Sequence, residues 1–299
     1  MKKLLFPLIA GMMVLAACAN GPASTAPSGD ATQAVLDAFA KTTSAGSARM
    51  ALNLSVASPQ KSIEITGQAE YQMDARDLTK VSEHVTLQIP SFAPGMPGGE
   101  VELIVVDGPV LYAKIPMFAP FLGTTKPWVK IDPSELPGGG AGFGAAAGAV
   151  QPAAALALIH DALTVEQAGS DTVDGVDATR YRVTLDLVKV LPKLAALSPA
   201  SGHQITDKEL AEIEAGLTKA GMRSLPMDVW VDGDGYVKQL HLSIDTTKIE
   251  GESGMTFAIT VTFSDIGETF TIEAPPASQV ADMSDLAPVM GSTAAVTSN

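Results

Sequence analysis

The chain of 299 residues has one cysteine, 5% aromatic residues and few charges for its length, and those charges are mostly acidic. A single cysteine has no partner for a disulfide and excludes a cysteine-ligated metal site. Nineteen basic residues stand against 33 acidic ones, a formal net charge of −14. Binding a phosphate backbone needs the opposite, a basic stripe, so nucleic acid is not an expected partner. Hydrophobic residues make up 46% of the chain and charged ones 17%, which excludes a wholly disordered polymer.

Catalytic signatures are also missing. The four histidines, His84, His160, His203 and His241, lie far apart, and none has an acidic residue or second histidine at metal-ligand spacing. There is no H-E-x-x-H, no G-x-S-x-G nucleophile elbow and no Walker loop. Ser58-Pro-Gln-Lys61 matches S-x-x-K, but no K-T-G or S-D-N accompanies it and it falls between two strand patterns, so it reads as a turn. Asp232-Gly-Asp-Gly235 begins like a calcium loop, yet Gln239, His241 and Ser243 stand where further ligands would be needed; it too reads as a turn. The expectation is a non-enzyme with no metal and no cofactor.

What is present begins at the N-terminus. Lys2-Lys3 precede an apolar run from Leu4 to Val14 that ends in Leu15-Ala16-Ala17-Cys18. The run is too short to span a bilayer and is flanked like a secretory signal. Leu-Ala-Ala-Cys looks like a bacterial lipobox, in which cleavage leaves the cysteine at the new N-terminus carrying a diacylglyceryl thioether, with palmitate-type acyl chains. Residues 1–17 are then a signal peptide and Cys18 the lipidation site. Each buried methylene contributes about 0.8 kcal/mol, so two or three chains anchor stably to the extracytoplasmic face of the cell membrane. Residues 18–30 have the small, Pro-bearing composition of a flexible tether. Residues 31–276 read as a single domain, and 277–299 as a polar, disordered tail.

Asp30 can cap a first helix with Val35, Leu36 and Phe39 on one face. Period-two alternation then runs through Met50–Val56, Ile63–Met73, Val81–Ile89, Val101–Val105, Val110–Ile115 and Trp128–Ile131. Residues 137–155 are rich in Gly and Ala and read as a mobile flap that gates entry; Pro152 can open a helix carrying Leu156, Ile159 and Leu163. Strands resume at Val173-Asp-Gly-Val176. Val188–Leu197 reads as helical, and Thr206-Asp-Lys-Glu209 resembles a capping box ahead of Leu210, Ile213 and Leu217. Met227–Val231, Leu240–Ile244 and Met255–Phe263 form a meander that turns at DGDG. Alternation of this kind suits antiparallel strands with one apolar face and one wet face. So many one-faced strands must curl, pair with another sheet, pack fully under helices, or enclose something apolar. Tyr112 with Lys114 and Trp128 with Lys130, each at i, i+2, are either ordinary cross-strand pairs or a rim for a ligand's polar head.

The lipobox, the tether and the one-faced strands resemble the LppX/LprG-type lipoproteins of actinobacteria (LppX, LprA, LprF, LprG). So do Leu111-Tyr-Ala-Lys114, Lys126-Pro-Trp-Val-Lys-Ile131, Val173-Asp-Gly-Val-Asp-Ala-Thr-Arg-Tyr181, Leu225-Pro-Met-Asp-Val-Trp-Val-Asp232 and Ala274-Pro-Pro276. The resemblance implies an α+β, LolA-like fold: a strongly curved antiparallel half-barrel with helices covering its concave face. It implies an apolar cavity for an acylated lipid or glycolipid, lipid movement between membrane and outer envelope, and a membrane transporter as a further partner. No catalytic residue transfers. The inward aliphatics Leu52, Leu54, Ile63, Ile65, Val85, Leu87, Leu103 and Val105 are the cavity candidates, with Tyr112 and Trp128 as candidate rim. The alternative is an anchored structural or regulatory module with a packed interior that binds a protein partner.

Replacing Cys18 by Ser tests the anchor. In an actinobacterial host fed labelled palmitate, the wild type is expected to carry label and to sediment with membranes. The variant should lose both.

Overall fold

The computed structural model describes residues 31–74, 77–91, 98–106, 108, 110–116, 124–132, 162–190, 206–219, 221–246 and 254–282. The leader, Cys18, the tether, the 137–155 stretch and residues 283–299 lie outside these.

Helix α1 (Ala31–Ser44) leads into β1 (Ser47–Ala57), β2 (Ser62–Asp74), β3 (Asp77–Ile89), β4 (Gly99–Val105), β5 (Leu111–Lys114) and β6 (Trp128–Ile131). Then come β7 (Leu163–Val173), β8 (Val176–Asp186), helix α2 (Asp207–Lys219), β9 (Ser224–Asp232), β10 (Val237–Asp245), β11 (Thr256–Ser264) and β12 (Val280–Asp282). The strands form one open, curved sheet in the order β12-β6-β5-β4-β3-β2-β1-β11-β10-β9-β8-β7. Every ladder is antiparallel except the short parallel pairing of β12 with β6. Two meanders, β1–β6 and β7–β11, are thus joined where β1 pairs with β11.

Register keeps one face apolar. Leu52 pairs with Val261 and Gly67, Leu54 with Ile259 and Ile65, and Val56 with Phe257 and Ile63. The row continues as Gly67–Leu87–Val101 and Ala69–Val85–Leu103. On the opposite face Arg49, Glu70, Glu102, Lys114 and Lys130 meet water and each other. Because side chains alternate, a slip of one residue in any ladder would exchange the two faces.

Helix α1 closes one end of the apolar face. Val35 and Ala38 are buried with Tyr71, Met73, Val183, Val229, Val231, Val237 and Phe263. Its last turn is clamped to the β9–β10 hairpin: Val237 N donates to Thr42 Oγ1 (2.8 Å), Lys41 Nζ bonds the Asp234 carbonyl, and the same ammonium lies 4.4 Å from the Tyr236 ring centroid. Gly46, at φ +77°, ends the helix where a side chain would be strained, and β1 begins one residue later. Helix α2 opens with the expected capping box. Glu209 N donates to Thr206 Oγ1 (3.3 Å) and Thr206 N to Glu209 Oε2 (2.9 Å). Its Leu217 packs on a second cluster around Leu185, Leu187, Val190 and Leu225.

The two turn readings hold. Ser58 closes the β1–β2 loop through Lys61 N, which donates to Ser58 Oγ (3.1 Å), and Ser58 N, which donates to the Lys61 carbonyl (2.8 Å). Asp232 Oδ1 accepts from Asp234 N (3.0 Å) and Tyr236 N (2.8 Å), an Asx-type turn whose carboxylate is occupied by backbone.

The structure corrects two boundaries. Leu163 opens strand β7 instead of continuing a helix. After Leu163 and Val165 the alternation is lost, because Ala168 bulges between Gln167 and Gly169 and the strand is a polar edge. The sheet also runs past the expected domain end at residue 276, to Asp282. Val280 and Ala281 pair with Trp128 and Val129, and Lys126 Nζ bonds the Val280 carbonyl (2.7 Å).

Gly67 sits where β2 and β3 approach most closely. A Cβ there would lie 2.5 Å from the Thr86 carbonyl oxygen and 2.6 Å from Leu87 Cδ2. The carbonyl belongs to the ladder and cannot swing away. Gly67→Ala is expected to destabilise by about 1–3 kcal/mol, read as a lowered midpoint in thermal or urea unfolding.

Candidate functional site: the apolar face of the sheet

The eight cavity candidates come together. Leu52, Leu54, Ile63, Ile65, Val85, Leu87, Leu103 and Val105 all lie on the face that carries α1, as ladder parity requires. The same rows continue across β11 and β10 through Phe257, Ile259, Leu242 and Ile244.

Burial along this face is uneven. Toward α1 the side chains are closed off, with Val35, Val183, Val229, Val237 and Phe263 at 0–1% exposure. Away from it, Leu54, Val56, Ile63, Ile65, Val85, Leu87, Leu103 and Phe257 are only partly buried. Among the described residues these rows form a continuous apolar surface that is neither fully packed nor fully wet.

The rim candidates do not join them. Tyr112 pairs with Ile104 and Lys130, and Trp128 with Val280, on the opposite face from Ala113 and Val129. Trp128 is buried there, with Lys114 Nζ 5.8 Å from its ring centroid. Lys114 in turn is ion-paired with Glu102, whose other oxygen lies 3.7 Å from His84 Nε2. This is a cross-strand polar network, the ordinary-pair reading of those residues. Four-residue strands leave parity undecided in the sequence, and Ala113 and Val129 give a weaker inward signal than their aromatic neighbours.

The polar face is otherwise held by similar networks. Arg49 Nη2 and Nε bond Glu70 Oε1 (2.8 and 3.1 Å), and its other nitrogen bonds Asp265. Trp230 Nε1 donates to Asp171 Oδ2 (2.8 Å), and Arg180 approaches the same carboxylate at 3.5 Å. His241 Nδ1 lies 3.0 Å from Thr260 Oγ1 on this face. Among the described residues no group of three or more His, Cys, Asp and Glu side chains is placed to hold a metal ion. An open cleft of about 200 Å³ at the β7–β8 end is lined by Asp186, Lys189 and Arg223 with Ala162 and Leu163. It is distinct from the rows on β1–β4.

One residue on the apolar face is missing from the sequence reading. Glu83 pairs with Tyr71 on β2 and Val105 on β4, so it shares the face of Val81 and Val85. The signal was available: Val81, Val85, Leu87 and Ile89 alternate inward, and position 83 falls in the same phase. Burial pushes its carboxyl above the usual carboxylate range.

The sign of the resulting pH effect follows. A raised pKa in the folded protein means that the folded state holds its proton more tightly than the unfolded chain. The cost of Glu83 is therefore present above the folded-state pKa and vanishes below the unfolded value, about 4.3. Glu83→Gln is expected to be more stable than wild type at pH 7, and its advantage should shrink as the pH is lowered toward about 4. Unfolding midpoints of both proteins across that range test this.

No known family model matches the chain. An uncharacterized 31.2 kDa protein of Streptomyces griseus, from the rplA–rplJ intergenic region, is 30% identical over 135 residues; the match covers 45% of this chain and 39% of that relative's length. Among solved structures, the chain is similar to LprF from Mycobacterium bovis, with a TM-score of 0.43 and 16% identity over 84% of this chain and 99% of that one. It is similar also to the lipoprotein LppX of Mycobacterium tuberculosis, at a TM-score of 0.39 and 12% identity over 81% of this chain and 99% of that one. The Pseudomonas aeruginosa MucA/MucB complex gives a TM-score of 0.33 at 11% identity, over 82% of this chain and 59% of that one. LprF and LppX are of the LppX/LprG type that the strand and turn motifs resemble.

Proposed function

We propose that this protein is an envelope lipoprotein, anchored through Cys18, that binds the acyl chains of a lipid or glycolipid against the apolar face of its sheet and carries or presents them beyond the membrane. The observation behind this reading is the partly buried apolar surface formed by Leu54, Ile63, Ile65, Val85 and Leu103 beyond the end covered by α1. Surface of this kind is stabilised by anything apolar laid on it, at about 25 cal/mol per Å² removed from water. An acyl chain has the right shape, since strands of 11–13 residues offer rows about 35–45 Å long. Shape recognition of that sort requires no catalytic group. The name LppX belongs to a lipoprotein of similar fold, which accords with the reading. Among the described residues no helix is long and apolar enough to cross a membrane, so the anchor would fall to the acylated cysteine. The acidic balance of the chain disfavours lying flat on anionic lipid.

Native mass spectrometry with organic extraction tests the proposal. Protein made in an actinobacterial host is expected to carry a stoichiometric adduct of lipid mass. Leu54→Asp and Leu103→Asp, each placing a charge on a partly buried row, should lose most of it while keeping the wild-type circular dichroism spectrum. A clean apo mass with no uptake of added acyl lipid would instead favour a packed module that binds a protein partner.

A further inference from the structure

Glu83 is anomalous on the face that carries it. Along its own strand it stands between Val81 and Val85; across the ladders it meets Tyr71 and Val105, with Ala69, Met73 and Leu103 on the diagonals. Tyr71 is the sole titratable group in that set, and the charges of the neighbouring strands, Glu70, His84 and Glu102, project from the other side of the sheet. A half-buried carboxyl among these neighbours weakens the empty protein, because it gives up part of its hydration with no cation beside it in that set. A leucine at position 83 would complete the aliphatic row without that cost. Residues that cost stability in this way are commonly retained because they serve a ligand.

The position is also suited to one. Glu83 lies where the tightly packed region around Tyr71, Met73 and Val81 gives way to the partly buried rows of Val85, Leu87 and Leu103. A chain laid along those rows toward α1 would end beside its carboxyl. A carboxyl can accept a hydrogen bond in either protonation state and can donate one only when protonated, so a donor is the group it complements in both.

We propose that Glu83 is the polar anchor of the apolar site, accepting a hydrogen bond from a hydroxyl or amide N–H of an acyl lipid whose chain lies across Val85, Leu87 and Leu103. This rests on the lipid-binding reading and names the ligand class within it: an acyl lipid with a neutral, donor-bearing polar group, such as an acylglycerol or acylated sugar, in preference to a simple ester or an anionic headgroup. Glu83 sets selectivity here, while the aliphatic rows supply affinity.

The test compares two probes with the same acyl chain, 1-monopalmitoylglycerol and methyl palmitate, as competitors of an environment-sensitive fluorescent fatty acyl probe. The purified wild type, Glu83→Leu, Glu83→Ala and Glu83→Gln are measured side by side. The ratio of the two affinities is expected to fall about tenfold in Glu83→Leu, the size of one buried hydrogen bond, with methyl palmitate bound as well as before or better. Glu83→Ala should show the same loss without added bulk, and Glu83→Gln, whose amide oxygen still accepts, should keep part of the preference. An unchanged ratio in Glu83→Leu and Glu83→Ala, with both probes still bound, overturns the anchor and leaves the lipid-binding reading standing. Failure of the wild type to bind either probe overturns both.

Discussion

A sheet of twelve strands with most of its aliphatic side chains on one side cannot leave that side in water, and the rest of this molecule answers that constraint. The ladders hold the rows in phase from β4 through β1 and β11 to the Leu240–Ile244 stretch of β10, so the apolar surface is continuous across the junction of β1 and β11. Helix α1 covers only part of it. Its Val35 and Ala38 bring Tyr71 and Met73 of the first meander and Val183, Val229 and Phe263 of the second into one cluster, which makes the helix the common lid of both. The polar stitches at its C-terminus, Thr42 to Val237 N and Lys41 to the Asp234 carbonyl, join residues more than 190 positions apart in sequence. They fix the helix over one end of the face and leave the rows of Leu54, Ile65, Val85 and Leu103 beyond it.

On the proposed reading the two faces divide stability from binding. The polar face is knitted by pairs such as Arg49 with Glu70 and Glu102 with Lys114, each modest in water but numerous along the strands. Tyr112 and Trp128, with their lysines, belong to this framework. The apolar face holds a packed end and a partly buried end, with the half-buried Glu83 between them. On the proposed reading, burying acyl chains against the partly buried rows beside Glu83 would supply the packing that the described residues leave incomplete there.

Local chemistry made much of this legible in the sequence. The phase of Met50–Val56 against Ile63–Met73 already tells which residues share a face, because side-chain direction alternates strictly along a strand. The capping box at Thr206, the Asx turn at Asp232 and the Ser58–Lys61 turn are likewise settled within four residues of chain. The phase of Glu83 with Val81 and Val85 is equally local, and its charge is the signal that argues against an inward position. Other features were hidden by breaks in that same periodicity. The bulge at Ala168 erases the alternation of β7, and a second irregularity between Val237 and Gln239 shifts the phase of β10.

By itself the sequence determined the strands, their turns and the two-sided character of the sheet, since each of these follows from period and turn preference within a short stretch. Tertiary structure alone decided that β1 pairs with β11, that Val280–Asp282 adds a parallel edge strand to β6, and that Tyr112 and Trp128 face away from the aliphatic rows. It also decided how far α1 reaches, and so which part of the apolar face is packed. These choices join residues separated by many tens to hundreds of positions. Their outcome depends on burial summed over the whole sheet, a quantity that no local window of residues contains.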